Sequence, residues 1–199
     1  GTGEKITSSA AYDSTGSRLS SQTDARGNTV TYAYETDVSK MTGQPTAVTD
    51  PSGVTRTSTY DPANGRITGT EIDGAASLDY TYGSGRLTAM TRSGSVPGEE
   101  TEQAQTYTMS YDGFGNMTGV SVGNKSLASY TYGANNGLLS QMTYGNGDSV
   151  SYSYDALERV SKVYYNGSAS PALEYAYTGS GTLGALKDNA SNRSYNYTY

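Results

Sequence analysis

The side chains of this sequence that could carry out chemistry are carboxylates and hydroxyls, because the chain contains no His and no Cys. That composition excludes Ser-His-Asp triads, Cys nucleophiles and zinc sites with His or Cys ligands. A glycosidase would need two carboxylates that flank a cleft, about 5–9.5 Å apart. Asp61, Asp112 and Asp155 instead recur after a Tyr at one position of a repeated pattern. Such a position is typical of turns in which the side chain bonds to its own backbone.

No other cluster of side chains replaces these missing groups. The spacing of an EF-hand loop or of a nonapeptide calcium repeat is also missing from the sequence. We therefore expect no catalytic, cofactor-binding or metal-binding residue, no cofactor, and no enzymatic activity.

The composition limits the partners as well as the chemistry. The 199 residues carry a formal net charge of −6 and include 13 Lys and Arg, so the sequence lacks the electrostatic footprint of a nucleic-acid partner. The hydrophobic fraction is 34%, and 20 residues are Tyr. Tyr must therefore supply much of the buried surface. Rings whose hydroxyls need a hydrogen-bond partner suit a thin sheet better than a thick core.

The elements that must position these side chains are repeated units. Tyr recurs as the last aromatic residue of each unit, at intervals of 20 to 29 residues. A Gly follows each Tyr in most units, Glu158 takes its place in the seventh, and an apolar residue follows almost at once. Nine Tyr residues mark eight units: Tyr12, Tyr34, Tyr60, Tyr82, Tyr111, Tyr132, Tyr154, Tyr177 and Tyr197.

Each unit has the pattern strand, tight turn, strand, tight turn. Asp-Gly and Asn-Gly pairs such as Asp73-Gly74 and Asn166-Gly167 favour primed hairpin turns, because both residues tolerate a positive φ. The segment Tyr152-Ser153-Tyr154 places two rings on one face of a strand, where we expect rings of successive hairpins to stack. Apolar residues three apart in the first strand, such as Leu139 and Met142, predict a β-bulge there.

The predicted fold class is all-β. We expect residues 1–199 to form a single array of about eight antiparallel hairpins, with about fourteen to sixteen strands and essentially no helix. Gly arrives every few residues, and each one opposes a helix by ~1 kcal/mol. One unit is longer than the rest, and we interpret residues 94–106, which include Glu99, Glu100 and Glu102, as an enlarged acidic loop.

Four segments show the repeated pattern most clearly: Tyr60-Asp61-Pro62-Ala63-Asn64-Gly65-Arg66-Ile67-Thr68, Gly85-Arg86-Leu87-Thr88, Tyr111-Asp112-Gly113-Phe114-Gly115-Asn116-Met117-Thr118, and Tyr154-Asp155 with Arg159-Val160. The pattern resembles the YD repeat of the Rhs (rearrangement hotspot) proteins, of bacterial insecticidal toxin-complex shells and of animal teneurins. The match spans nearly the whole chain. Departures are Gly83 and Gly133, where the repeat has Asp, and Glu158, where it has Gly.

The resemblance implies a curved, spiralling β-sheet that is a fragment of a YD-repeat shell. In the family such a shell encloses or presents a C-terminal polypeptide, often a toxin. The resemblance also implies an extracellular or cell-surface location and, as a partner, the remainder of a larger parent protein. We expect a bacterial source.

The segment Thr49-Asp50-Pro51-Ser52-Gly53-Val54 looks like the Asp-Pro-x-Gly word of a self-cleaving Asp pair, which the family places near the end of the shell. The same residues fall where other units have their second turn, and five or more repeats follow them. We therefore interpret Asp50 as a turn residue and expect no self-cleavage.

The sequence leaves two functions open. One is a structural segment of the shell, and the alternative is a binding module whose Tyr rows stack on carbohydrate or contact a cell-surface protein. Rings that pack against their neighbours favour the first function, whereas coplanar exposed rings favour the second. The segment Tyr195-Asn196-Tyr197-Thr198-Tyr199 is an uninterrupted β-former, and we expect the isolated chain to form a strand-edge homodimer.

Overall fold

Antiparallel strands rich in Tyr and Thr, joined by turns of Gly, Asn and Asp, make up the computed structural model of this chain. The structure describes residues 7–94 and 103–199. The chain divides into two compact units, Gly1–Thr106 and Tyr107–Tyr199. Most of the acidic loop predicted at residues 94–106 lies outside the described residues.

In the first unit every strand pairs with its neighbour along the chain. The strands are β1 (Ser9–Tyr12), β2 (Leu19–Thr23), β3 (Thr29–Tyr34), β4 (Pro45–Thr49), β5 (Thr55–Tyr60), β6 (Ile67–Ile72), β7 (Ala76–Gly83) and β8 (Arg86–Gly94).

The second unit repeats the same order of antiparallel neighbours. Its strands are β9 (Gln105–Tyr111), whose first two residues belong to the first unit, β10 (Met117–Val122), β11 (Lys125–Tyr132), β12 (Leu139–Tyr144), β13 (Ser149–Tyr154), β14 (Val160–Tyr165), β15 (Leu173–Tyr177), β16 (Leu183–Asp188) and β17 (Arg193–Asn196).

The all-β class and the tandem antiparallel hairpins are confirmed. The described residues form seventeen strands, one more than the upper end of the expected range, because β1, which ends at the first Tyr mark, precedes the eight units of two strands. The helical content of the described residues is one turn of 3₁₀ helix, Val38–Lys40. No helix in the described ranges is long and apolar enough to cross a membrane.

The predicted β-bulge is confirmed and recurs eight times. In each case the closing Tyr of one strand pairs with the first or second residue of the next, as Tyr154 does with Val160, and one residue of the second strand is skipped. A Ser or Thr occupies the skipped position in seven of the eight bulges. The eight are Ser20, Thr46, Thr68, Thr88, Thr118, Ser140, Ser161 and Gly184.

The hydroxyl of the bulged residue bonds back to the partner strand in several bulges. Thr88 Oγ1 donates to the carbonyl of Thr81 at 3.2 Å, and the hydroxyls of Thr131 and Ser140 lie 3.1 Å apart. A short hydroxyl side chain therefore replaces part of the pairing that the bulge interrupts. This accounts for the preference for Ser and Thr at the skipped position.

One face of the sheet carries the rings. The first Tyr of a closing pair stands opposite the second apolar residue of the following strand, in the pairs Tyr32–Val48, Tyr80–Met90, Tyr130–Met142, Tyr152–Val163 and Tyr175–Leu186. Rings thus alternate with aliphatic side chains across the strands, and the expected stacking of rings on rings does not occur between these directly opposite positions.

The sheet keeps these side chains only half-buried. Among the described residues Val163 is the one buried hydrophobic side chain, with 6% of its surface exposed. Val163 stands opposite Tyr152 on one side and Leu173 on the other. The structure therefore has the thin, Tyr-based packing that the composition predicts.

Two turns have the primed geometry that the Asp-Gly and Asn-Gly pairs predicted. Asp73 and Gly74 have φ of 45° and 69°, and Asn166 and Gly167 have φ of 50° and 69°. Glu158, which replaces the usual Gly, also adopts a positive φ of 62°. These positions are held in a conformation that an L-residue with a Cβ adopts only at a cost.

The loop Asp112–Asn116 offers a matched test of that cost. Gly115 has a φ of 91°, whereas Gly113 does not lie in the positive region, and a Cβ at either position would meet no atom within 4 Å. We expect Gly115→Ala to lower the free energy of unfolding by about 1–2 kcal/mol and Gly113→Ala to leave it nearly unchanged. Denaturant melts would measure both. Equal losses for the two variants would contradict a purely conformational origin.

Candidate functional site

Two side-chain arrangements recur at the end of the hairpins where the bulges lie. One is a tyrosine hydroxyl bound to a backbone carbonyl of the preceding strand, which we call the tyrosine clamp. The other is an aspartate whose carboxylate accepts the N–H groups of its own loop, which we call the Asp loop. Both are built from residues of the repeated pattern.

The tyrosine clamp starts where the strand ladder stops. Between β12 and β13 the last backbone pair at this end is Gln141 with Ser151. Three residues after Ser151, Tyr154 donates its hydroxyl to the carbonyl of Leu139 at 2.8 Å. The side chain therefore spans the gap between two strands whose backbones no longer pair.

Five hydrogen bonds in the two units share this geometry. Each donor closes a strand, and each acceptor is the first residue of the strand before it. The clamps are Tyr34 to Leu19 at 3.0 Å, Tyr60 to Pro45 at 3.1 Å, Tyr132 to Met117 at 2.8 Å, Tyr154 to Leu139 at 2.8 Å and Tyr177 to Val160 at 2.8 Å.

Arginine adds a second contact to some of the clamps. Arg159 lies 4.2 Å from the centre of the Tyr177 ring, and Tyr177 donates to the carbonyl of Val160, the residue after Arg159. Arg18 lies over the clamp residue Tyr34 at 5.3 Å, and Arg66 lies over Tyr82, which is not one of the five clamps, at 5.5 Å. Each is a cation–π contact, a class that contributes about 0.5–1 kcal/mol at exposed sites.

Burial raises the pKa of the clamp tyrosines in two of these positions. For Tyr132 the main cause is desolvation, followed by the charge of Asp112 and by Tyr130. For Tyr154 desolvation is again the main cause, followed by Tyr152. A raised pKa keeps the phenol protonated, as a donor to a carbonyl must be.

The Asp loop is a five-residue turn closed by one carboxylate. In Asp112–Asn116, Asp112 Oδ1 accepts the N–H of Phe114 at 2.9 Å and of Asn116 at 2.8 Å, and Oδ2 accepts the Asn116 side chain at 3.0 Å. The Asp112 N–H also donates to the Asn116 carbonyl at 2.9 Å. Several donors that a tight turn would leave to water are thus satisfied within the loop.

The same loop forms at both ends of the hairpins. Asp24 and Asp50 close second turns with the bonding of Asp112, since each accepts the N–H groups two and four residues further on. Asp50 is therefore a turn residue, as predicted. Asp155 adds an ion pair, in which its Oδ2 lies 2.7 Å from an Arg159 Nη atom and accepts Nε–H at 2.8 Å.

One loop departs from the repeat. Gly133 stands where the repeat has Asp, and Asn136 Oδ1 accepts the N–H of Leu138 at 3.2 Å. Asn64 Oδ1 accepts the N–H of Arg66 in the same way in the Asp61 loop, at 3.0 Å. The loop therefore keeps its asparagine hydrogen bond without the carboxylate.

The structure does not bring the three candidate carboxylates together into a catalytic site. Asp61, Asp112 and Asp155 each lie in a separate loop, and each accepts hydrogen bonds from that loop. In residues 7–94 and 103–199 no group of three or more His, Cys, Asp or Glu is placed to hold a metal ion. Sequence reasoning missed Asp13, whose carboxylate accepts hydrogen bonds from its own loop in the same way. It also missed the arginine contacts, although an Arg directly before the first residue of a strand could have indicated them.

The fold and these two arrangements define a tandem β-hairpin repeat protein. Residues 41–77 match the family model of the RHS repeat. These residues therefore carry an RHS, or YD, repeat, and the resemblance seen in the tyrosine and aspartate pattern is confirmed. No curated protein matches the chain.

A solved structure shares this fold. A crystal structure of TcdB2-TccC3-TEV is similar with a TM-score of 0.51 at 15% sequence identity, over 96% of this chain and 12% of that one. A crystal structure of TcdB2-TccC3-Cdc42 has a TM-score of 0.49 at 14% identity, over 92% of this chain and 11% of that one. The chain thus spans about an eighth of the length of the first of these structures.

The tyrosine clamp predicts a graded loss of stability. Tyr154→Phe leaves the Leu139 carbonyl without its donor and should lower the free energy of unfolding by about 1 kcal/mol. Tyr154→Ala also removes a half-buried ring and should cost about 2–3 kcal/mol, below the ~3–5 kcal/mol of fully buried aromatics. Denaturant melts would measure both losses.

Tyr144 supplies the control, because its side chain is 45% exposed and its hydroxyl makes no hydrogen bond within the described residues. Tyr144→Phe should leave the melt unchanged. A loss as large as that of Tyr154→Phe would show that the clamp contributes nothing specific.

The Asp loops predict sensitivity to acid. The pKa of five loop carboxylates is lowered, and the largest cause in each is a side-chain hydrogen bond from the same loop. The pairs are Asp13 with Thr15, Asp24 with Asn28, Asp50 with Ser52, Asp112 with Asn116, and Asp155 with Arg159. A carboxylate with a lowered pKa stabilises the fold above its unfolded pKa of about 3.9, and this contribution is lost as the pH falls through the folded value.

We therefore expect the melting temperature to fall steeply as the pH is lowered below about 4. The double variant Asp50→Asn and Asp112→Asn should show a shallower fall, because two of the titrating groups are gone. Thermal melts by circular dichroism between neutral and acidic pH would compare the slopes. Identical slopes would contradict the assignment of acid sensitivity to these loops.

Proposed function

We propose that this chain is a non-enzymatic, structural segment of an extracellular or cell-surface YD/Rhs-repeat β-shell. In the family such a shell encloses or presents a C-terminal polypeptide, often a toxin. The observation that carries the proposal is the tyrosine clamp, which recurs in both units at the same end of the hairpins. Each clamp joins a strand to the one before it and so builds a wall out of repeated hairpins.

The tyrosine clamps and the Asp loops occupy the hydroxyls and carboxylates that a binding or catalytic site would need. The hydroxyls of Tyr132 and Tyr154 donate to backbone carbonyls, and the Asp112 and Asp155 carboxylates accept the hydrogen bonds of their own loops. The recurring polar groups are thus used to hold the sheet together. This supports a structural role over catalysis.

The alternative is a binding surface for carbohydrate or for a cell-surface protein. The rings that favour it lie at the end of the second unit, where the exposed fractions of Tyr195, Tyr197 and Tyr199 are 43%, 40% and 86%. These rings take no part in the five clamps. A binding role would therefore involve a different set of tyrosines from the one that holds the hairpins together.

The partner that a shell segment requires is another strand. Strand β17 pairs with β16 on one side, and the Tyr197 N–H donates inward to the Gly184 carbonyl at 2.9 Å. Because N–H groups alternate in direction along an antiparallel strand, those of Ser194 and Asn196 are directed outward. This edge suits pairing with the remainder of a larger parent protein or, for the isolated chain, with a second copy. The net charge of −6 disfavours nucleic acid.

Light scattering over a wide concentration range tests this edge. We expect the chain to associate, and Ser194→Pro to reduce association, because Pro removes an outward N–H while the inward bonds to β16 remain. Circular dichroism would confirm that the variant is folded. A strict monomer at all concentrations, or association unaffected by Ser194→Pro, would overturn strand-edge pairing.

A glycan-binding assay on the same protein separates the two functions. The structural proposal expects no retention on carbohydrate matrices. Retention that is lost on replacing Tyr195, Tyr197 and Tyr199 with Ser, with the melting temperature unchanged, would establish the binding module in its place.

A further inference from the structure

The turn between β14 and β15 is held by the side chain of Asn166. The Ser168 N–H donates to the Tyr165 carbonyl at 3.0 Å and closes the two-residue turn Asn166-Gly167. Asn166 also extends the sheet toward β13, since its N–H donates to the Ser149 carbonyl at 2.8 Å and its Oδ1 accepts the Ser149 N–H at 2.7 Å. This turn is exposed to solvent.

A carboxylate joins this turn to its neighbour. Asp148 Oδ1 accepts Asn166 Nδ2–H at 3.1 Å, and Asp148 Oδ2 accepts Asn146 Nδ2–H at 2.7 Å. Asn146 lies in the turn between β12 and β13 and also accepts the Asp148 N–H at 3.0 Å. Two side-chain amides thus hold one carboxylate between adjacent turns.

Both of these amides belong to Asn-Gly pairs, the sequence in which asparagine is chemically least stable. The backbone nitrogen of the Gly attacks the Asn side-chain carbonyl, because Gly has no Cβ to hinder the approach. The described residues contain four such pairs: Asn64-Gly65, Asn136-Gly137, Asn146-Gly147 and Asn166-Gly167.

The four pairs differ at the attacking nitrogen. In three of them the Gly N–H is bonded inside its loop, as Gly65 to Asp61 at 2.7 Å, Gly137 to Gly133 at 2.8 Å and Gly147 to Tyr144 at 2.9 Å. The Gly167 N–H makes no hydrogen bond within the part of the chain that the structure describes. Attack by the other three nitrogens must first break a backbone hydrogen bond.

The structure assigns Asn166 as the preferred site of spontaneous deamidation in this protein. The Gly167 nitrogen forms a bond to Asn166 Cγ and gives up its proton to solvent, while the Cγ–Nδ2 bond breaks and ammonia leaves. Water then opens the resulting succinimide at either carbonyl and yields aspartate or isoaspartate at residue 166. No oxidant or cofactor is required.

The aspartate product fits the turn but conflicts with its neighbour. Asp73 occupies the corresponding turn of the first unit with a φ of 45°, and its Oδ1 accepts the Thr55 N–H at 2.9 Å, as Asn166 does with Ser149. The residue before Thr55 is Val54, whereas the residue before Ser149 is Asp148. Deamidation therefore removes a donor to Asp148 and places a second carboxylate against it, which weakens this end of the sheet.

Peptide mapping by mass spectrometry tests the site. The intact chain is incubated in mildly alkaline buffer, and the mass gain of amide-to-acid conversion is followed at all four pairs. We expect Asn166 to convert first, and Asn166→Gln to abolish the change at that position, because the longer side chain closes its ring more slowly. Asn136 is the sharpest internal comparison, because its Nδ2 makes no hydrogen bond within the described residues. Conversion of Asn64, Asn136 or Asn146 before or together with Asn166 would overturn the assignment.

The consequence has a separate test in three variants. Asn166→Asp should lower the melting temperature at neutral pH by about 2–4 °C, and Asp148→Val in the same background should restore it, as Val54 beside Asp73 indicates. Asn146→Asp, which loses the other amide donor to Asp148, should show a comparable loss. An Asn166→Asp protein as stable as the parent, or no recovery with Asp148→Val, would refute the carboxylate conflict.

Discussion

The structure depends on the hydrogen bond from a tyrosine hydroxyl to the first carbonyl of the preceding strand. A sheet one layer thick cannot rely on a deep core, and only Val163 among the described side chains is a buried hydrophobic residue. A buried polar group needs a partner, and the phenol supplies ring area and a donor from one residue. The clamp places that donor where the β-ladder has ended, so each hairpin is closed at both ends.

The bulge and the Asp loop follow from the same requirement. A strand that ends on a clamped Tyr must turn back within a few residues, and the Asp carboxylate satisfies the N–H groups of that turn. The bulge after the loop brings the closing Tyr of one hairpin opposite the first residue of the next strand, as with Tyr154 and Val160. A Ser or Thr at the skipped position restores part of the lost pairing. The tyrosine clamp, the Asp loop and the hydroxyl at the bulge therefore take the place of the apolar core of a thicker domain.

Much of this architecture follows from the sequence, because turn chemistry and strand alternation are local. The hairpins, the bulge, the turn role of Asp50 and the primed turn at Asn166 all depend on residues close together in the chain. The clamp partners lie 15 or 17 residues apart, and no local pattern identifies which carbonyl a hydroxyl will reach. The contact of Arg159 with Tyr177 was missed for the same reason. The expected ring-on-ring stacking was replaced by rings against aliphatic residues, because the bulge sets which side chains stand opposite.

The constancy of the clamp interval has a consequence for how such arrays change during evolution. Four of the five clamps join residues 15 positions apart, and the fifth, from Tyr177 to Val160, spans 17. The stretch from a closing Tyr to the next strand varies more, as between Tyr34 and Pro45 compared with Tyr82 and Leu87. The five clamped hairpins therefore keep nearly constant lengths, while the connections along one rim of the sheet vary. An array of this kind can lengthen by whole hairpins while every clamp keeps its partner.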